Sequence, residues 1–267
     1  MSNESTSNSV SIEGALEETT GFLRRKLDET GADLYVVGLS GGVDSSTSSA
    51  LAVEAVGADR VLGLAMPAES NEPEDLSLAR QHAEDFGFDC LVHEVDPVVE
   101  EFVNVTGVDG RLAVGNLRAR VRMCMNYLHA NERSGLVLGT GNRSELLLGY
   151  YTKYGDGAVD VSPLAGLYKT EVRGLARELG VAEEVVTRPP TAGLWEGQSD
   201  EDEIGVDYPT VDRVLRALFD EGLEVDEAAG RADVDVDVVE GLLSMYEASR
   251  HKRDEVSYPS FGRKTEL

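Results

Sequence analysis

Residues 38–46 read Gly38-Leu39-Ser40-Gly41-Gly42-Val43-Asp44-Ser45-Ser46, directly after the apolar run Leu34-Tyr35-Val36-Val37 and directly before an alanine-rich stretch at 47–56. A strand, a glycine-rich turn and a helix start in that order make an anion cradle, because backbone N–H groups and the positive helix end converge on one point. Gly41 and Gly42 let the backbone approach an anion closely, and Ser40, Ser45 and Ser46 add hydroxyl donors. Asp44 cannot face a phosphate without a bridging cation. No lysine stands in the loop, so it is not the Gly-x-x-x-x-Gly-Lys-Ser/Thr nucleotide loop.

Further candidates follow a second apolar run. Gly139-Thr140-Gly141-Asn142-Arg143-Ser144-Glu145 leads to Gly149-Tyr150-Tyr151-Thr152-Lys153-Tyr154-Gly155-Asp156-Gly157, then Asp160 and Lys169. Thr140 stands just past a strand, and Glu145 can join Asp44 as a second hard oxygen ligand for Mg²⁺, which takes few carboxylates and fills its shell with phosphate and water. The chain has only five lysines, at 26, 153, 169, 252 and 264, and two of them fall in this region. A point charge kept where lysine is so scarce suits phosphate or carboxylate binding. Arg118, Arg120 and Arg122 lie two apart; on a helix the first and last share a face and Arg120 points elsewhere, toward a different partner. The stretch 189–208 carries glycines, the single tryptophan Trp195 and an acidic run, and reads as a lid. His251-Lys252-Arg253 is a triple-basic cluster late in the chain.

The elements that must hold these groups alternate. Strands are expected at 34–37, 61–66, 90–95 and 136–139, with helices at 11–30, from Pro73 to a stop at Gly87, at 97–108 and at 116–131. Alternation of this kind implies right-handed crossovers and a parallel sheet covered on both faces, with ligands beyond the carboxyl ends of its strands. At 267 residues and 41% hydrophobic content, one α/β domain is expected. Its parts are an N-terminal helix about 11–30, a nucleotide-binding core about 34–188, a lid about 189–208 and a helical part about 209–267.

Composition sets limits. The 24 Lys and Arg face 50 Asp and Glu, a net charge of −26 spread along the chain. Such a surface repels nucleic acid, whose binding rests on basic patches. No membrane-spanning run or signal sequence is seen, so a soluble cytoplasmic protein is expected. Cys90 and Cys124 are too few for a disulfide framework, and are expected as reduced, mostly buried thiols.

The first loop is similar to the Ser-Gly-Gly-x-Asp-Ser loop of ATP pyrophosphatases, which hold the pyrophosphate that leaves when ATP adenylylates a substrate. With the segments at 139–145, 149–160, Lys169, Thr191 and 251–253, the chain resembles the ammonia-dependent NAD synthetases over most of its length. The resemblance implies a doubly wound parallel sheet with helices on both faces, Rossmann-like and of the adenine nucleotide α-hydrolase type. It implies ATP contacts at Gly38, Leu39, Ser40, Gly41, Gly42, Val43, Asp44, Ser45, Thr140, Lys169 and Thr191. It places Mg²⁺ at Asp44 and Glu145, and deamido-NAD contacts at Arg120, Lys153, Asp160, His251 and Lys252. Asp44, Glu145 and Lys169 are the implied catalytic groups, and a homodimer is the implied assembly. Two positions depart from the pattern: Arg118 stands where many relatives have glutamine or lysine, and Val256 where proline is common.

The implied chemistry has two steps: the nicotinate carboxylate attacks the α-phosphorus of ATP, then ammonia displaces AMP. No side-chain nucleophile is needed, since positioning and electrostatics carry such a reaction. The nucleotide part begins by residue 34, leaving no room for a glutamine-hydrolysing domain, so ammonium and not glutamine is the expected nitrogen donor. Other readings are a different ATP pyrophosphatase, amidating another acid or thiolating tRNA, and a nucleotide-binding dimer without turnover. The acidic surface and the lack of Cys-x-x-Cys disfavour tRNA thiolation.

The charge generates a prediction. At ~0.1 M salt the Debye length is about 10 Å and like charges repel across much of the surface; at ~1 M it is about 3 Å and the repulsion is largely screened. Thermal stability, dimer formation and turnover are therefore expected to rise between ~0.1 and ~2 M KCl. Melting and activity curves that are flat or falling over that range contradict the expected halophilic character.

Overall fold

The computed structural model describes residues 11–69, 71–191, 193, 195, 197–254 and 259. Helix α1 (Ile12–Thr30) starts at Ser11, whose side chain accepts from the Gly14 N–H, and ends at Gly31 with φ 69°. Alternating elements follow: β1 (Tyr35–Leu39), α2 (Val43–Val56), β2 (Val61–Ala65), α3 (Pro73–Phe86), β3 (Asp89–Val92), α4 (Asp96–Thr106), α5 (Arg111–Glu132) and β4 (Leu136–Leu138). The rest is helical: α6 (Arg143–Leu148), α7 (Lys169–Glu178), α8 (Glu183–Thr187), α9 (Asp200–Ile204), α10 (Tyr208–Phe219), α11 (Val225–Ala232), α12 (Val236–Ala248) and α13 (Arg250–Arg253).

The sheet is parallel, in the order β3-β2-β1-β4. Period-two alternation sends Tyr35, Val37 and Leu39 to one face with α1, α2 and α7, and Val36, Leu62 and Leu64 to the other with α4 and α5. A third apolar cluster joins α6 to α10, α11 and α12. The chain turns left and right of β1 in succession, so the loops after β1 and β4 leave the sheet side by side and open a crevice between them.

The differences from the sequence-based boundaries have local causes. The third strand stops at Val92 and not at 95, because Asp96 opens α4 with Pro97 in its first turn. Helix α5 begins five residues earlier than expected, at Arg111 after Gly110. Within the expected lid, 200–204 forms a helical turn capped by Ser199, and Tyr208 already belongs to α10. Cys124 is exposed and only Cys90 is half-buried, so the expectation of mostly buried thiols fails for the former. Val256 lies outside the described residues. Among the described residues no helix is long and apolar enough to cross a membrane.

Helix α2 is buried nearly all round; Thr47 donates to the Val43 carbonyl and Ser49 to that of Ser45, while Ser48 donates to the Gly139 carbonyl at 3.0 Å, beyond β4. Ser49 Oγ also meets His82 Nε2 at 2.8 Å, beside the Phe86 and Phe88 rings. Burial pushes the His82 pKa down to about 4 from 6.5. The folded state thus holds His82 neutral while the unfolded chain takes up a proton. This contribution to stability is full above pH ~6.5 and is lost as pH falls toward ~4, about 3 kcal/mol in all. Urea titrations of wild type and His82→Gln are expected to show a shallower fall for the variant between those limits; parallel curves contradict the assignment.

Candidate functional site

A cleft of about 670 Å³ opens at the carboxyl ends of β1, β2 and β4. Its lining gathers Gly38, Leu39, Ser40, Gly42, Val43, Asp44, Ser45, Thr140, Glu145 and Lys169, with Arg120, Lys153, Thr191, His251 and Lys252. Of the implied ATP, metal and deamido-NAD contacts, two are not in the lining, and neither is Ser46. Gly41 sits behind it with φ +78°, where a Cβ would fall 2.4 Å from the Asp75 carbonyl oxygen; glycine lets the loop pack against α3. Asp160 is exposed, and its carboxylate accepts the Tyr127 hydroxyl at 3.1 Å and the Val137 N–H at 2.8 Å, tying β4 to α5.

The centre of the cleft is an ion cluster. Lys169 Nζ lies 2.5 Å from Asp44 Oδ2 and 3.1 Å from Glu145 Oε1, and 4.9 Å from the centre of the Tyr208 ring. Asp44 comes from the start of α2, Glu145 from α6 and Lys169 from the first position of α7. Burial raises the Glu145 pKa, and the neighbouring Asp44 and Asp200 carboxylates raise it further against the pull of Lys169. Burial alone would lower Lys169, but Asp44 and Glu145 outweigh it and hold the ammonium charged. Burial likewise raises Tyr208, whose hydroxyl donates to Asp200 Oδ2 at 3.2 Å.

Supports surround this cluster. Asn142 forms a capping box with Glu145 and donates Nδ2 to Asp44 Oδ1 at 2.9 Å. Ser144 Oγ donates to Asp212 Oδ1 at 2.5 Å and accepts from the Lys169 N–H at 3.0 Å, while the Thr170 N–H donates to Asp212 Oδ2 at 2.8 Å. The starts of α6 and α7 are thereby fixed to α10. The donor set suits a hard divalent cation: Asp44 Oδ2 and Glu145 Oε1 already converge on one positive centre, the ammonium, beside an anion-binding loop.

Arg118, Arg120 and Arg122 of α5 have separate partners. Arg118 pairs with Asp96 at 3.1 Å, Arg120 reaches the Lys153 carbonyl at 3.3 Å, and Arg122 donates to the Met66 carbonyl and to Asn71 Oδ1, each at 3.0 Å. Lys153 Nζ donates to the His251 carbonyl, and Lys252 Nζ to the carbonyls of Gly149 and Tyr151 at 2.6 Å. The basic rim is thus woven into itself. Above it, Trp195 stacks on Arg111 at 5.0 Å, Asn71 Nδ2 donates to the Gly193 carbonyl at 3.3 Å, and the Tyr150 hydroxyl donates to Glu203 at 2.6 Å. These contacts draw the stretch 189–208 over the cleft.

Sequence reasoning missed Asn142, Asp200, Tyr208 and Asp212 as site residues. Asn142 carried a signal, the Asn-x-x-Glu spacing of a capping box. Asp212 carried none, standing 68 residues from its partner Ser144.

A switch-point cleft with an anion loop on one wall and a buried lysine between two carboxylates defines a nucleotide-handling α/β protein. The NAD synthase family profile matches residues 15–256, and the chain belongs to that family. It is 48% identical to the NH(3)-dependent NAD(+) synthetase of Halobacterium salinarum over 87% of each chain. It is 45% identical to that of Thermococcus kodakarensis over 90% of this chain and 94% of the other. Among solved structures, NMN synthetase from Francisella tularensis superposes with a TM-score of 0.85 at 31% identity, over 95% of this chain and 100% of that one. The NH3-dependent NAD synthetase from Campylobacter jejuni gives 0.79 at 26% identity, over 94% and 100%. The doubly wound, adenine nucleotide α-hydrolase-like fold is shared with these neighbours.

Removing the ammonium leaves two buried carboxylates facing each other, which typically costs ~3–5 kcal/mol. Lys169→Met is expected to lose about that much stability in urea unfolding, and Lys169→Met with Glu145→Gln to regain a large part. A double variant no more stable than the single one contradicts the coupling.

Proposed function

We propose that this protein makes NAD from deamido-NAD, ATP and ammonia, releasing AMP and pyrophosphate. The observation that carries the reading is the placement of Lys169, Asp44 and Glu145 against the glycine loop, in a chain of the NAD synthase family. In the first step a nicotinate oxygen forms a bond to the α-phosphorus and the bond to the β-phosphate oxygen breaks. In the second, ammonia bonds to the carbonyl carbon, the acyl-phosphate bond breaks, AMP leaves and a proton is released.

The loop amides from Ser40 to Ser45 and the α2 N-terminus hold the departing pyrophosphate. Lys169 sits within reach of the same place and offsets charge growing on the leaving oxygen. Asp44 and Glu145 are the residues that would hold Mg²⁺, which when bound screens the phosphate charge. Arg120, Lys153, His251 and Lys252 supply the basic rim for the dinucleotide, and Thr140 and Thr191 stand at the ATP side. The stretch 189–208, anchored by Trp195 on Arg111, keeps water from the adenylate. Asp160, exposed beside β4, is a further contact the resemblance implies for the dinucleotide.

We also propose a homodimer joined through α4 and the start of α5, where Val98, Phe102 and Val105 lie along one side of α4 and Val108 and Leu112 follow in the chain, all exposed. Free thiols and small soluble substrates suit the cytoplasm.

Purified protein in high KCl with ATP, Mg²⁺, deamido-NAD and ammonium is expected to give NAD and AMP one for one. Nicotinate mononucleotide in place of deamido-NAD is expected to react far more slowly, and faster reaction with it would move the substrate to the shorter nucleotide. Asp44→Asn is expected to lower kcat by ~100-fold or more with little change in KM for deamido-NAD. Wild-type kcat in that variant at saturating Mg²⁺ removes Asp44 from the mechanism.

A further inference from the structure

Asn142 does more than its place at the start of α6 requires. It is fully buried, and its Oδ1 accepts the Glu145 N–H at 3.1 Å, the bond any serine, threonine or aspartate cap would make. Its other two donors go to the carboxylates of the cleft. The backbone N–H reaches Glu145 Oε2 at 3.3 Å, and Nδ2 reaches Asp44 Oδ1 at 2.9 Å across a separation of 98 residues. Lys169 Nζ takes the remaining oxygen of each, Asp44 Oδ2 and Glu145 Oε1.

Each carboxylate therefore has one oxygen held by Asn142 and one held by the ammonium of a flexible lysine. Among the described residues Asp44 has no hydrogen-bond partner besides these two. If the lysine shifts toward a phosphate, Asn142 alone keeps the inner oxygens aimed at the same place. A carboxylate free to rotate would have to be ordered again by the incoming cation, which weakens binding.

We propose that Asn142 is a positioning residue that presets Asp44 and Glu145 as a two-oxygen clamp for a divalent cation arriving with the nucleotide. This rests on the reading of those two carboxylates as the metal-holding pair. An amide fits where a hydroxyl does not, because the bond to Asp44 needs both a donor and the reach of the longer side chain.

Two variants separate the clamp from the cap. Asn142→Ser keeps a capping oxygen and removes the donor to Asp44. Asn142→Asp keeps cap and shape but turns that donor into a repelling oxygen. Affinity for Mn²⁺ is read by water-proton relaxation with ATP and without deamido-NAD, so that no turnover occurs; thermal melting and steady-state kinetics accompany it. Asn142→Ser is expected to melt near wild type, to bind Mn²⁺ with ATP about 10-fold or more weakly, and to lose kcat with KM for deamido-NAD unchanged. Asn142→Asp, which serves if the serine variant does not fold, is expected to lose kcat to a similar extent. Wild-type Mn²⁺ affinity and kcat in folded Asn142→Ser, beside a clear affinity loss in Asp44→Asn, overturns the role of Asn142 alone. So does wild-type kcat in Asn142→Asp. Equal affinity in wild type and Asp44→Asn overturns the metal reading and the clamp with it.

Discussion

A buried ammonium between two carboxylates is the constraint around which the molecule is arranged. Lys169 is 3% exposed, and at the first position of α7 its charge meets the positive end of that helix. Neither burial nor helix position favours a cation there. Asp44 and Glu145, brought from α2 and α6 and helped by Asp200 and the Tyr208 ring, make the site tolerable, so the packing of three helix starts against β1 and β4 and the charge state of the cleft are one problem. The link extends outward through Ser144 and Asp212 to α10, which explains why the C-terminal helices are packed on α6 and α7 and are not an independent appendage.

Much of this was legible in the sequence for local reasons. The glycine loop stood between an apolar run and a helical stretch, and its chemistry was stated by types and spacing alone. The strands were recognisable because a parallel sheet covered on both faces needs short continuous apolar runs. Scarcity made Lys153, Lys169 and Lys252 conspicuous. What was not legible was long-range. Nothing near Asp212 announces Ser144, and nothing near Asp160 announces that its carboxylate accepts the Val137 N–H. Cys124 shows the same limit: the thiol's apolar character suggested burial, but its turn of α5 points outward.

The membership of the NAD synthase family and the geometry answer different questions. The family says which reaction belongs to a chain of this kind, while the distances say which groups are close enough to take part in it. Gly41 illustrates the difference. It belongs to the loop by sequence, yet it acts by letting Asp75 and α3 lie directly behind that loop, where any side chain would collide with the Asp75 backbone. The missing side chain is thus required by the packing behind the loop, separately from whatever the backbone N–H meets in front of it.

The extreme acidity of the chain also has an internal counterpart. Several of its cations bind backbone carbonyls and have not been left as free surface charge. Arg24 caps the end of α2 at the Ala55 and Glu54 carbonyls, and Arg60 takes those of Asp33 and Ala32. Lys252 and Arg253 close the end of α6 through the carbonyls of Gly149 and Leu147. The carboxyl ends of helices carry partial negative charge, so a cation placed there satisfies unpaired acceptors and complements the dipole together. A chain that gives up surface lysines gains solubility from carboxylates but cannot give up these positions without opening the ends of its elements. The basic residues that remain therefore mark joints of the fold, and at Lys252 such a joint also lines the cleft.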